Sequence, residues 1–235
     1  LRPALEPAGI LNTPIAYSAE LAVPPAPGVP EPFGRPESEY TDPVHIGLKS
    51  LPVTALATFA ECPLKFKFRF VDRHPGLGEG PAVATNIGTL THKALELDHS
   101  EIESLRPFAS GADDAQLYEA IQLASNFHTM AAFAPVRVEK TEREKRFTRD
   151  YCGITLNGAV DVVGSDFVLD YKTDSVADPA AHSYQLWAYA RAFEKPRAFI
   201  AYLRTGVLHE FRSENLDAIQ KDAEIILERM KSGYI

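Results

Sequence analysis

The sequence predicts an α/β domain in which a central mixed β-sheet, a three-stranded meander plus further strands, is flanked by helices. Three observations carry this. Apolar residues recur at helical spacing on both sides of a central block; that block consists of β-branched and aromatic runs parted by short polar breaks; and the two periods interleave along the chain instead of segregating. The composition permits it, since 235 residues at 45% hydrophobic and 24% charged supply a core of ordinary globular size and exclude collagen, coiled coil and wholesale disorder.

Ten of the 18 prolines precede residue 51, and a stretch so rich in proline sustains neither a helix nor a central strand. Residues 1–48 are therefore expected to be a linker or wrapping arm, and residues 49–235 the folded domain. Thr54 is positioned to cap a helix running to Cys62, and Pro63 suits the first turn of the next, continued by Leu64 to Phe70. Ile87, Leu90, Ala94 and Leu97 form one helical stripe, and Asp113 opens another through Leu117, Ile121, Ala124 and Phe127. The meander follows as Val136 to Arg149, Ile154 to Val163 and Phe167 to Thr173. Helical spacing resumes from Pro179 to Phe193. A strand over Ala198 to Leu203 then turns at Thr205 and Gly206 into a second over Val207 to Phe211. The last helix aligns Leu216, Ile219, Ala223, Ile226 and Met230.

The charge sum is −8, so no global positive field draws nucleic acid, and any such contact must use local patches. Two cysteines, Cys62 and Cys152, make no disulfide framework, and no apolar run reaches the roughly 18 residues a bilayer span needs. A reduced, cytoplasmic protein without a membrane segment is expected. The start at Leu1 and the stop at Ile235 suggest a piece of something longer.

The chemistry concentrates in a few residues. Asp170 and Lys172 stand two positions apart on one strand and so share a face of the sheet. Asp161 lies in the preceding strand of the hairpin, where it can face Asp170. Two carboxylates at short range repel unless a cation separates them, which suits Mg²⁺ or Mn²⁺, and an adjacent ammonium can orient water or stabilise charge on a phosphate. By itself the Asp-x-Lys triplet is expected roughly once by chance in such a chain. Helical context adds to it: Gly88 and His92 are one turn apart, as are Gln185 and Tyr189. Each of these also has an ordinary structural reading, a histidine bonded to a backbone carbonyl or polar trim over the sheet.

In order and on suitable elements, CPLKFKFRF from Cys62, GTLTH ending at His92, EKRF from Glu144, GAVD ending at Asp161, DYKT from Asp170 and QLWAY from Gln185 resemble the RecB-like branch of the PD-(D/E)XK nuclease superfamily. The resemblance spans about residues 50 to 212. It implies a restriction-endonuclease-like core and a metal-dependent deoxyribonuclease, and it assigns His92, Asp161 and Asp170 as metal ligands with the Tyr171 carbonyl, Lys172 as the catalytic lysine, Glu144 as an acid near the metal or its water, and Gln185 and Tyr189 as support for the lysine and the DNA strand. Val160 stands where the superfamily's name has proline. Many relatives hold an iron-sulfur cluster on a cysteine like Cys62 and a C-terminal cysteine triplet. No triplet follows here, so no cluster is expected in this chain.

Substrate contact is expected from Lys65, Lys67 and Arg69, interleaved with phenylalanines whose rings should be buried, and from Arg143, Lys145 and Arg146. The leading reading is the nuclease part of a recombination and repair helicase-nuclease, acting on single-stranded DNA delivered by a helicase motor in the same chain or complex. A free-standing exonuclease of the CRISPR-adaptation type and a catalytically silent DNA-binding module of the same fold remain as alternatives.

Overall fold

The structure, a computed structural model, describes residues 50–74, 82–109, 111–138 and 140–232. The expected arm over residues 1–48 lies outside the described residues.

Five strands follow one path and a sixth flanks them. Strand β1 (Ser50–Pro52) runs parallel to β3 (Ile154–Val163), and β2 (Glu142–Tyr151) pairs antiparallel along the whole of β3. Because β2 occupies one edge, β1 at Thr155 to Asn157 and β4 (Phe167–Lys172) at Val162 and Val163 share the other. β4 continues parallel to β5 (Arg197–Tyr202), which pairs antiparallel with β6 (Val207–Phe211). The sheet is mixed, as the interleaved periods predict. β1 is not legible in the sequence, because three residues ending in proline carry no period.

The helices α1 (Thr54–Glu61), α2 (Pro63–Phe66), α3 (Ala82–Leu97), α4 (Ile102–Leu105), α5 (Asp114–Thr129), α6 (Ser183–Ala192) and α7 (Ser213–Lys231) cover both faces. One face packs Val168, Ile200 and Tyr202 against α1, α6 and α7. The other packs Val162, Leu169, Tyr171 and Phe199 against α3 and α5. The cap of α5 forms as its sequence dictates: Asp113 accepts from the Gln116 N–H and Gln116 answers through the Asp113 N–H.

Several expectations change. Thr54 sits inside α1, with Val53 at the cap position and no side-chain cap. Val136 belongs to a 3₁₀ turn, Ala131–Val136, so β2 starts six residues later at Glu142. Leu97 is exposed, because α3 ends there. The phenylalanines after Pro63 are not all buried as expected. The segment winds as α2 and a π-turn over Lys67–Val71, so Phe66 is buried and Phe70 half-buried while Phe68 is 47% exposed.

Candidate active site

The site forms where the sheet splits. β3 and β4 exchange ladder bonds only at Val162 with Leu169 and Val163 with Val168. One residue further, where the register would pair Asp161 with Asp170, the ladder has ended, and Asp161 Oδ2 takes the Tyr171 N–H at 2.6 Å. The expected facing pair is therefore a side-chain bond across a split.

β2 breaks at the same level. Arg143 lies opposite Val162 and Lys145 opposite Val160, which places Glu144 opposite Asp161, unpaired, with a left-handed φ of 49°. Side chains on β3 also slip at this point, since Val160 packs on the α6 side while Val162 packs on the α5 side. A non-glycine residue in this conformation stores backbone strain, and here the strain turns a carboxylate toward the split.

α3 supplies His92. Its Nδ1 lies 3.0 Å from Asp161 Oδ1 and its Nε2 lies 3.0 Å from the Tyr171 carbonyl oxygen. Both nitrogens thus face acceptors, an arrangement the imidazolium satisfies by donating twice. Burial opposes this charge, but the Asp161 carboxylate beside the ring overrides it, and the pKa is raised to about 9. Burial, and then the Asp161 charge, push the Glu144 carboxyl up. One ligand atom from each of His92, Glu144 and Asp161 lies within 4.8 Å of the others.

Asp170 and Lys172 point to the opposite side of β4 from Tyr171, toward α6. Lys172 Nζ stands 2.6 Å from Asp170 Oδ2. Gln185, on the facing turn of α6, ties the pair together: its Nε2 donates to Asp170 Oδ1 at 3.1 Å and lies 2.7 Å from the Tyr189 hydroxyl, while its Oε1 accepts from Lys172 at 3.3 Å. Burial pulls the Lys172 pKa down, and the Asp170 carboxylate more than restores it, so the ammonium persists. Asp170 is 3% exposed, and its Oδ2 has the ion pair but no aligned hydrogen bond.

The donor set fits a hard divalent cation. The oxygens of Asp161 and Tyr171 that His92 bridges already converge, Glu144 adds a carboxylate, and Asp170 offers a buried oxygen short of a directional partner. Asp170 does not belong to the 4.8 Å trio.

The basic residues are more heavily engaged than the sequence suggests. Lys65 pairs with Glu61 at 2.8 Å and Lys67 with Asp72 at 2.5 Å, while exposed Arg69 lies over the Phe70 ring. Arg143 donates to the Leu95 carbonyl at 2.5 Å, closing the end of α3, and Lys145 pairs with Glu142. Arg146 is exposed, with no ion pair among the described residues. Cys62 caps α2, its Sγ accepting from the Lys65 N–H at 3.5 Å, and Cys152 occupies the two-residue turn between β2 and β3.

Sequence reasoning missed the cleft that opens beside His92. It measures about 400 Å³ and is lined by Gly88, Thr89, His92, Lys93, Glu96 and Glu144. Thr89 and Glu96 stand three before and four after His92, so helical spacing alone could have found them. Gly88 is less constrained than its motif suggests: an added Cβ would meet Thr173 Oγ1 at 3.4 Å, ordinary contact.

The model of the PD-(D/E)XK nuclease superfamily matches residues 50–234, so the chain belongs to that superfamily and is a nuclease by family. A protein of Eubacterium rectale, provisionally named an exonuclease, has a similar solved structure: TM-score 0.57, 15% identity, 83% of this chain and 85% of that one covered. The likeness shows the shared fold. A second structure, SSO0001, covers 72% of this chain and 86% of its own at 15% identity, with a TM-score of 0.29. No curated protein matches the chain significantly. Among the described residues, no helix is long and apolar enough to cross a membrane.

Proposed function

We propose that the chain is a metal-dependent deoxyribonuclease of the RecB-like branch, hydrolysing phosphodiester bonds of single-stranded DNA. The observation that carries this reading is the convergence of His92, Glu144 and Asp161 within 4.8 Å at the sheet split, with Asp170 and Lys172 held on the adjoining strand. Asp161, Asp170, His92 and the Tyr171 carbonyl would hold Mg²⁺ or Mn²⁺, which when bound supplies Lewis acidity to a phosphate oxygen and to water. Glu144, whose carboxyl burial pushes up, accepts a hydrogen bond or a proton from the attacking water. Lys172 places its ammonium against the phosphate, where negative charge accumulates as one P–O bond forms and the other breaks. Gln185 fixes the ammonium relative to Asp170, and Tyr189 fixes Gln185. The reading includes no iron-sulfur cluster within this chain, whose two cysteines fall short of the four thiolates one needs.

A chain of net charge −8 whose candidate contact residues Lys65, Lys67 and Lys145 are ion-paired captures DNA weakly, which favours delivery by a helicase in recombination or repair, in the same chain or a complex. The test is labelled single-stranded DNA with Mg²⁺ or Mn²⁺. Wild-type protein should degrade it, and Asp170→Ala and Lys172→Ala should each lose on the order of 10²–10⁴-fold in rate. Intact substrate, or cleavage unaltered by both substitutions, refutes the nuclease reading. A rate that rises when a helicase feeds the strand supports the delivery context, and an unchanged rate counts against it.

A further inference from the structure

Phe108 is a large apolar side chain left 46% exposed on the surface, at the end of the 3₁₀ turn Arg106–Phe108 that follows α4. The core does not need it there. The turn that carries it is tied by hydrogen bonds all the same. Arg106 clamps the turn with Nη2 at 2.9 Å from Glu103, Nε at 3.0 Å from the same carboxylate and Nη1 at 2.8 Å from Asp114, and the Ala109 N–H closes the turn on the Arg106 carbonyl at 3.1 Å. Lys93 from α3 reaches over the ring, its Nζ 5.5 Å from the centroid, and the His99 ring lies 6.3 Å away.

Lys93 is the link to the chemistry. It follows His92 in sequence and lines the same cleft as His92 and Glu144, where it also pairs with Glu96. An exposed aromatic ring, a cation over one side of it and a cleft that this cation shares with the candidate metal ligands together match what a single nucleic-acid strand requires. A base stacks on the ring while its phosphate meets the ammonium. A duplex, with its bases already stacked, has no face to offer Phe108.

We propose that Phe108 and Lys93 form a stacking platform for an unpaired nucleotide, joined to the active-site cleft through Lys93, and so set the preference for single strands. This rests on the nuclease reading above. Phe68 provides an internal comparison: it is 47% exposed with Lys67 at 5.6 Å, yet Lys67, unlike Lys93, does not line the cleft.

The experiment measures binding of a thymidine 20-mer and an abasic strand of equal length, in Ca²⁺, alongside cleavage by the same preparations in Mg²⁺. Phe108→Ala should weaken the thymidine strand about tenfold and leave the abasic strand unchanged, because stacking needs a base. Phe108→Trp should restore binding, with circular dichroism confirming that both variants fold. Lys93→Ala should weaken both strands and reduce the salt slope by about 1. Wild-type binding by Phe108→Ala, an equal loss on the abasic strand, or an equal loss in Phe68→Ala would overturn the platform. Failure of the wild-type protein to cleave would instead overturn the nuclease reading, so the two failures are distinguishable.

Discussion

Glu144 shows how a single residue spends conformational energy on the site. Its φ of 49° is rare for a side chain with a Cβ, and it sits in a ten-residue strand whose neighbours on both sides keep their ladder partners. The strain separates stability from function. Glu144→Gly should be more stable than Glu144→Ala by about 1 kcal/mol, because glycine tolerates the left-handed region, although both lose the carboxylate and cleave equally poorly. Equal denaturation midpoints for the two variants would show that the backbone there is unstrained. Gln185 acts differently, through its neighbours. It contacts Asp170, Lys172 and Tyr189 without belonging to the convergent trio. Gln185→Ala should lower kcat by roughly 10–100-fold with KM little changed. A change confined to KM would mean that Gln185 binds substrate instead of positioning Lys172.

Among the elements, the hairpin of β3 and β4 does most to position the chemistry, and its turn depends on Gly164. An added Cβ there would lie 2.4 Å from the Phe167 ring, which is 1% exposed and has nowhere to move. Gly164→Ala should therefore cost roughly 1–3 kcal/mol of stability in a denaturant titration and depress activity with it, whereas a stability equal to wild type would show that the ring can yield. The same hairpin shows what the sequence discloses. The apolar run Phe167 to Leu169 and the triplet from Asp170 mark β4 directly, and Asp170 with Lys172 follows from the period of two. The split at Asp161 is not legible. It depends on β1 and β4 sharing one edge of β3, and β1 is a three-residue strand paired with residues about a hundred positions away. The roles of Arg143 and Lys145 are hidden for a related reason. Sequence shows a basic cluster, but only the fold brings the C-terminal carbonyls of α3 to Arg143, where helix-end groups seek a donor. The cleft beside His92 lay half in view, since Thr89 and Glu96 share its helical face, while Phe108 enters only through the packing of α3 beside the turn after α4.

For the whole molecule, the site is a junction among α3, β2, β3 and β4, and a cation held by His92, Asp161, Asp170 and the Tyr171 carbonyl would clamp α3, β3 and β4 to one another and should be felt in global stability. At a concentration of 100 times Kd, Mg²⁺ should stabilise the fold by about 2.7 kcal/mol, a rise of roughly 5–10 °C in Tm for a chain of this size, and Asp161→Ala should abolish the rise. His92 makes this linkage depend on pH. In the metal-free protein its pKa is raised from 6.5 to about 9, chiefly because the Asp161 carboxylate outweighs burial. A raised pKa contributes stability that is fully present below about pH 6.5 and is lost as pH climbs through about 9. The imidazolium occupies the acceptors that the cation needs, and ligation requires the neutral ring, so each Mg²⁺ bound at lower pH must displace a proton. The shift in Tm at fixed Mg²⁺ should therefore be small near pH 6 and grow toward pH 9, while the metal-free Tm falls across the same window. His92→Ala should flatten both trends. A Mg²⁺ shift that is constant with pH in the wild-type protein, or a slope that survives His92→Ala, would mean that some other group governs the site.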